Sequence, residues 1–410
     1  MTGVYVLSAA RTAIGRFGGS LREFSAPDLG VVAAQAALAR ADIEPGEVEE
    51  VIFGHARQAG NGPNPARQIA VRAGCPVGVP AYTVNKACAS GMKALVLGFQ
   101  EIALGNANAV LVGGTEAMSR VPFFVEGARW GTKLGHQTLA DGMYQDGFLC
   151  PLSKMIMGET AEVLAEQYKI SREEQDCYAL ASQQHAQRAI ESGRFCEEIV
   201  PVTVREKKGE RVFESDEHPR FDSAAESLAK LPPVFSKQGT ITAGNSSGIT
   251  DGAAALVLVS EERAQRSAMK PLARITGYAT AGVDPRVMGI GPVPAVQKLL
   301  EKTGQRLEDY DVIELNEAFA AQVLACESAF ASRRFASERL GRTEPLGEID
   351  RRRLNVNGGA IALGHPVGAA GTRLVLTLLK EMRRRGAGTG LATLCVGGGQ
   401  GGSLLFEAAT

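Results

Sequence analysis

Across 410 residues, 44 basic side chains stand against 45 acidic ones, a net charge of −1 that leaves no polyanion-binding footprint and no acidic tail. The length allows two or three packed units, and 45% apolar residues suit a large core. The seven cysteines (75, 88, 150, 177, 196, 326, 395) are odd in number and never form C-x-x-C, which argues against a disulfide framework or zinc site and for reduced thiols in a cytosol.

The chain opens on a strand-like run within Met1 to Ala10, lacking the basic flank and long apolar stretch of a signal peptide. No window approaches about eighteen uninterrupted apolar residues, so no membrane helix is expected. Pro27 and Asp28 start a helix over Ala26 to Arg40, with Leu29, Val32, Ala33, Ala36 and Ala37 on one face. A strand near Val51 to Gly54, another over Ala81 to Val84, a sharp turn, an apolar helix from about Gly91 to Leu104 and a strand over Ala109 to Val112 follow. This alternation predicts a mostly parallel sheet.

From about Ser119 to Thr240 the character changes. Polar helices over Gly158 to Tyr168 and Ser171 to Ser192 and proline-bearing loops predict an inserted subdomain over one end of the sheet. Near the C-terminus the first pattern returns: VNKACASGMKALVLG…AVLVGG is echoed by VNGGAIALGHPVGAAGTRLVLTLL…TLCVGG, with a helix from about Ala369 to Arg385 and a strand over Gly390 to Val396. Two duplicated α/β halves are expected. The arginine-rich stretch Ala331 to Arg353 reads as a solvated surface elaboration.

Cys88 falls in the turn between a strand and a helix, where the helix dipole favours thiolate and small neighbours leave room for a substrate. The alternative is a small buried hydrophobe. Of the five histidines, His365 stands in the bare loop GGAIALGHPVGAAG, where an imidazole has little packing to do. His185 is expected to face solvent, His136 and His218 to sit in loops, and His55 could be structural or functional. Cys395 ends a strand before VGGGQGG, whose amides could receive an oxyanion. Alone, it would be assigned to the core. Asn316 and Glu317, in NEAFAAQ, mark a strand-to-helix junction where a capping Asn and a solvent-facing Glu are the simpler expectation. TAGNSSGITDGAAALVLVS suits contacts to an amide-rich ligand.

Taken together, ARTAIGRFGG, NKACASG, TAGNSSGITDGAAA, NEAFAAQ, VNGGAIALGHPVGAAGTR and CVGGGQG stand in the order found in thiolases, and the chain resembles that family over essentially its whole length. The resemblance implies a five-layered αβαβα fold of two halves with an inserted loop domain. Residues 1–119 and 250–270 would form the first half, 120–249 the insertion and 271–410 the second half. It implies that Cys88 takes the acyl group, His365 activates that thiol and Cys395 shuttles the proton of the attacking carbon. Asn316, through a water, would share one oxyanion hole with His365, and the amides of Cys88 and Gly397 would form the other. Ser247 would lie near the pantetheine, Arg220 and Ser227 near the nucleotide of coenzyme A, and Met157, Met288 and Phe319 around the acyl group.

The implied reaction is reversible condensation of two acetyl-CoA to acetoacetyl-CoA, with a broader degradative 3-ketoacyl-CoA thiolase as the alternative. No metal or organic cofactor, no nucleic acid and no membrane is implied, and the expected assembly is a homotetramer built from dimers. Ketoacyl synthases, which pair their cysteine with two histidines, fit less well, since the second position here is Cys395. A non-catalytic lipid-binding relative would have lost one of Cys88, His365 and Cys395, and a cysteine hydrolase has no use for the second thiol. Two departures stand out: Ile156 where short-chain members carry a histidine, which bears on substrate choice, and the length of Ala331 to Arg353.

Overall fold

The computed structural model describes residues 2–207 and 209–409. Met1, Lys208 and Thr410, at the ends of the chain and inside the expected insertion, lie outside the described residues. The first half contributes β1 (Val4–Thr12), α1 (Ala26–Ala41), β2 (Glu50–Gly54), α2 (Pro65–Arg72), β3 (Ala81–Val84), α3 (Ser90–Ala103) and β4 (Ala109–Ala117). Two helices, α4 (Met157–Tyr168) and α5 (Arg172–Glu191), lie in the following stretch before β5 (Thr250–Ser260) returns to the sheet. The second half supplies β6 (Ala273–Gly282), α6 (Pro292–Thr303), β7 (Val312–Leu315), α7 (Ala320–Ala331), α8 (Val367–Arg385), β8 (Thr389–Val396) and β9 (Gln400–Glu407).

The nine named strands run in the order β7-β8-β9-β6-β1-β5-β4-β2-β3 through an 11-stranded sheet. The two halves meet where β1 and β6 pair antiparallel, with Val4 opposite Ile275 and Val6 opposite Ala273. On either side of that seam the order repeats: β5, β4 and β2 beyond β1 correspond to β9, β8 and β7 beyond β6. Among the nine named strands, the expected parallel pairing is found only toward the margins, where β2 pairs with β3 and β4 and β7 pairs with β8. The centre is antiparallel. The physical reason is connection length, since β8 and β9 are joined by the tight turn Gly397–Gly399, which only an antiparallel pair accepts.

Side chains alternate between faces as the pleat requires. On β5, Val257 and Val259 join α1 and α2 in one apolar core, while Leu256 and Leu258 join α3 and α8 in another. That central core also takes Ala392, Leu394 and Val396 from β8, so α3 and α8 form a layer touched by both halves. A third core lies under α6 and α7. Helices, the first half of the sheet, the α3–α8 pair, the second half of the sheet and helices make the five layers expected.

Local sequence explains the ends of these elements. Ser25 and Asp28 form a capping box at α1, with proline in its first turn. Helix α8 closes with Arg383, Arg384 and Arg385 at its negative end and Gly386 in the left-handed conformation. Its start is two residues earlier than the sequence suggests, directly after Pro366. Helices α3 and α8 approach closely because Gly91 faces Thr372 and Gly114 of β4 faces the Gly368 carbonyl, each too near for a Cβ.

The inserted helices do more than cover a sheet end. Leu164 of α4 and Tyr178 and Ala179 of α5 enter the core under α6 and α7. Arg11 of β1 is bound through its guanidinium to Glu198 (2.8 Å) and Asp216 (2.7 and 2.9 Å), tying the first strand to the insertion. Ala331 to Arg353 carries exposed ion pairs such as Arg333–Glu344 and Arg352–Asp350, though Ala336 and Leu346 are buried beneath it. Among the described residues, no helix is long and apolar enough to cross a membrane.

Candidate active site

Strand β3 ends in a turn built by its own polar side chains. Asn85 Oδ1 accepts from Ala87 N (2.9 Å), Ser90 Oγ accepts from Lys86 N (2.9 Å), and Ser90 Oγ donates to the Ala87 carbonyl (2.7 Å). Ala87 takes φ of 45°, a left-handed conformation that costs a non-glycine residue about 1–2 kcal/mol. The turn delivers Cys88, half-buried, two residues before α3.

The expected low thiol pKa is not what this setting produces. Burial raises the Cys88 pKa above that of an ordinary thiol, and this outweighs the Gly397 N–H pointed at the sulfur and the charge of Arg57. The helix dipole does not decide the matter. Cys395, at the end of β8, is fully buried and also raised, first by burial and then by the charge Cys88 would carry, which places the two thiols side by side.

His365 precedes α8, with its backbone N–H on the Gly248 carbonyl (3.0 Å). The ring is buried and neither nitrogen meets a protein partner. Burial, then the charges of Arg373 and Arg57, push its pKa down to about 4 against the pull of Glu116, so the imidazole is neutral near pH 7. Asn316 leaves β7 with its backbone N–H on the Thr393 carbonyl (3.0 Å), and its buried side-chain amide is without a protein partner.

Glu317 departs from the solvent-facing expectation. It is buried and collects Ser182 Oγ (2.7 Å), Tyr178 Oη, Asn355 Nδ2 and Ile361 N (each 3.1 Å). It binds the NEAF segment to α5 and to the loop that leads to His365. His185 is also not free in solvent: it is half-buried, with Nδ1 3.2 Å from the Asn355 carbonyl.

An apolar cluster joins Cys395 to Met157, Met288, Phe319 and Phe235, the two phenylalanines meeting edge to face at 6.2 Å. Met157 lies over Gly397. Ile156, where short-chain thiolases carry histidine, instead ends a two-residue strand opposite Leu149, and Glu159 caps its backbone N–H (2.8 Å). Ser247 donates its backbone N–H to the Ala318 carbonyl (3.0 Å), joining its loop to the NEAF segment. Arg220 and Ser227 are both exposed and share a cavity of about 170 Å³ with His218, Ala243 and Gly244. A larger cavity of about 580 Å³ opens beside Ala87, Met157 and Gly397.

One pair escapes sequence reasoning. His55 is wholly buried with Nε2 3.0 Å from Glu116 Oε1, close but not aligned for a hydrogen bond. Glu116 accepts from Ala56 N (3.2 Å), Arg57 N (3.1 Å) and Gly368 N in the first turn of α8 (2.8 Å). Burial works to raise the Glu116 pKa, yet His55, Arg57 and these amides outweigh it and hold the carboxyl below its usual value. The available signal is an acidic residue at the end of the otherwise apolar strand AVLVGGTEAM.

Comparison with known proteins is consistent over the full chain. Residues 4–262 match the thiolase N-terminal domain and 269–408 the thiolase C-terminal domain. The acetyl-CoA acetyltransferase of Pseudomonas aeruginosa is 51% identical, over 98% of this chain and 99% of that protein. The crystal structure of the Bacillus anthracis acetyl-CoA acetyltransferase superposes with a TM-score of 0.93 at 47% identity, covering 100% of this chain and 99% of the other. Human mitochondrial 3-ketoacyl-CoA thiolase superposes with a TM-score of 0.92 at 44% identity, covering 99% of each chain. With both domains matched in order over nearly the whole chain, the chain belongs to the thiolase family.

Proposed function

We propose that the protein is an acetyl-CoA C-acetyltransferase, reversibly joining two acetyl-CoA into acetoacetyl-CoA and coenzyme A through an acyl group on Cys88. The observation that carries this reading is that Cys395 feels the charge of Cys88, while a neutral His365 shares the charges of Arg57 and Glu116 with Cys88 and Val367, two residues on, belongs to the apolar cluster against which Cys88 packs. A neutral His365 can take the Cys88 proton, and the thiolate then attacks the thioester carbonyl. The amides of Cys88 and Gly397 are suited to the first oxyanion, and coenzyme A leaves with the proton held by His365. In the second half-reaction Cys395 passes its own proton to His365 and, as thiolate, removes a proton from the α-carbon of acetyl-CoA. The enolate oxygen is received by His365 and by Asn316 through a water, and the carbanion attacks the acetyl group, releasing Cys88 as a thiolate that takes back the proton held by His365. In thiolysis the same thiol returns the proton, and its raised pKa keeps it ready as that acid.

Coenzyme A and acyl-CoA enter as substrates. We place the nucleotide at Arg220 and Ser227, the pantetheine along Ser247, and the acyl end against Met157, Met288 and Phe319. We further assign residues 120–249 to coenzyme A contacts and to assembly of a cytoplasmic homotetramer, between the two half-domains at 1–119 with 250–270 and at 271–410. Bulk at the pocket end excludes long chains sterically, whereas each missing methylene contact costs a short substrate only about 1 kcal/mol. In thiolysis assays with free coenzyme A, kcat/KM for acetoacetyl-CoA should exceed that for an eight-carbon 3-ketoacyl-CoA. A clear preference for the longer chain would make this a broad degradative thiolase instead.

A further inference from the structure

Cys150 takes no part in the proposed reaction, yet it stands beside Cys88. It ends the two-residue strand Leu149–Cys150, which pairs antiparallel with Met155–Ile156. It lines the cavity of about 580 Å³ together with Ala87, Met157, Gly397 and Gly398. Phe148, two residues before it, packs on the same apolar cluster as Cys88. Both sulfurs use one turn: the Gly397 N–H points at Cys88 and the Gly398 N–H at Cys150. Consecutive peptide units lie about 3.8 Å apart, so the two thiols reach that turn at neighbouring positions.

The surroundings of Cys150 suit a thiolate. The chain doubles back from it, with Lys154 N donating to the Cys150 carbonyl (2.8 Å), and this turns the N–H groups of Leu152 and Ser153 toward the sulfur. The Ser153 hydroxyl, buried and unpaired elsewhere, faces it as well. Burial works to raise the Cys150 pKa, but the Ser153 hydroxyl and the three amides outweigh it and hold the thiol below its ordinary value. Burial shifts Cys75, Cys88, Cys326 and Cys395 the other way. Thiolate character decides which thiol of the site meets an oxidant first, and here that thiol is Cys150.

We propose that Cys150 and Cys88 form a reversible disulfide under hydrogen peroxide, closing the acyl position until a thiol reductant reopens it. This rests on the assignment of Cys88 as acyl carrier. The Cys150 thiolate attacks one peroxide oxygen and the O–O bond breaks. The departing hydroxide takes up the proton that the thiol gave away, so water leaves and Cys150 is a sulfenic acid. His365 then takes the Cys88 proton, the Cys88 sulfur bonds to the Cys150 sulfur, and the S–O bond breaks. The hydroxide released recovers that proton from His365 as a second water. The two thiols have lost two electrons and the peroxide has gained them. The bond also shields Cys88 from sulfinic acid formation, which thiol reductants do not reverse.

The test treats the wild type and Cys150→Ser with peroxide, blocks the remaining free thiols and maps the peptides without reduction. Acetoacetyl-CoA thiolysis is assayed before treatment, after it and after dithiothreitol, each protein against its own untreated activity. The wild type should yield a peptide pair joined through Cys88 and Cys150, lose most of its turnover and regain it with the reductant. Cys150→Ser should yield no such pair and should not regain the turnover it loses. A link from Cys88 to Cys395, sulfinic acid on Cys88 with no link, or a wild type unaffected by peroxide would overturn the inference and leave the reaction assignment standing. Recovery in Cys150→Ser equal to that of the wild type would do the same. The joined pair with turnover intact would instead defeat the assignment of Cys88, and the inference with it.

Discussion

The site depends on charges that are absent as much as on those present. In the proposed reaction His365 must be neutral to accept a proton, and burial together with two arginines keeps it so. Its folded pKa of about 4 lies below the ordinary 6.5, so the unfolded chain binds the proton more readily. Stability is therefore unaffected above about pH 6.5 and is lost as pH falls from there towards 4, by about 3 kcal/mol if no other group compensates. Denaturation between pH 7 and 4 should show this loss in the wild type and a smaller one in His365→Asn, and an identical pH dependence in both would contradict it. His365 stood out in the sequence because a bare glycine-rich loop leaves an imidazole little else to do, whereas Cys88 and Cys395 were picked out only by the order of the motifs. Their ionisation was not legible there. The dipole argument for Cys88 concerns neighbours along the chain, whereas desolvation comes from strands and helices hundreds of residues away.

At the scale of elements, helix positions followed from caps and periodicity, and the duplication was readable from two short motifs. Sheet direction was not, because alternation of strand and helix cannot show that β5 returns after a long insertion. Glu317 was misread for a similar reason: its four partners lie on α5 and on the Asn355–Ile361 segment, none of them close in sequence. The contact between β4 and the start of α8 sets where His365 stands. Adding one methyl group in Gly114→Ala would press on the Gly368 carbonyl and force strand and helix apart. A loss of about 1–3 kcal/mol in equilibrium unfolding is expected, with a fall in kcat. Unchanged stability and turnover would mean that this approach is not needed.

For the molecule as a whole, the unassigned surface is the loop region before α4. Phe123, Trp130, Leu134 and Leu139 are 61%, 85%, 99% and 64% exposed, large apolar side chains brought to the surface within one short region, as at an interaction site. Val121 and Phe124, in the same region, are partly buried. Light scattering at micromolar concentration should give the mass of a tetramer, and a monomer mass would reject the proposed assembly.

The central claim is division of labour between two cysteines, one carrying the acyl group and the other moving the carbon-bound proton. The Cys395→Ala variant separates these steps. Incubated with acetyl-CoA and examined by intact-mass and peptide analysis, it should carry one acetyl group on Cys88 while condensation and thiolysis fall by orders of magnitude. An acetyl group on any other residue, or turnover close to wild type in that variant, would contradict the account.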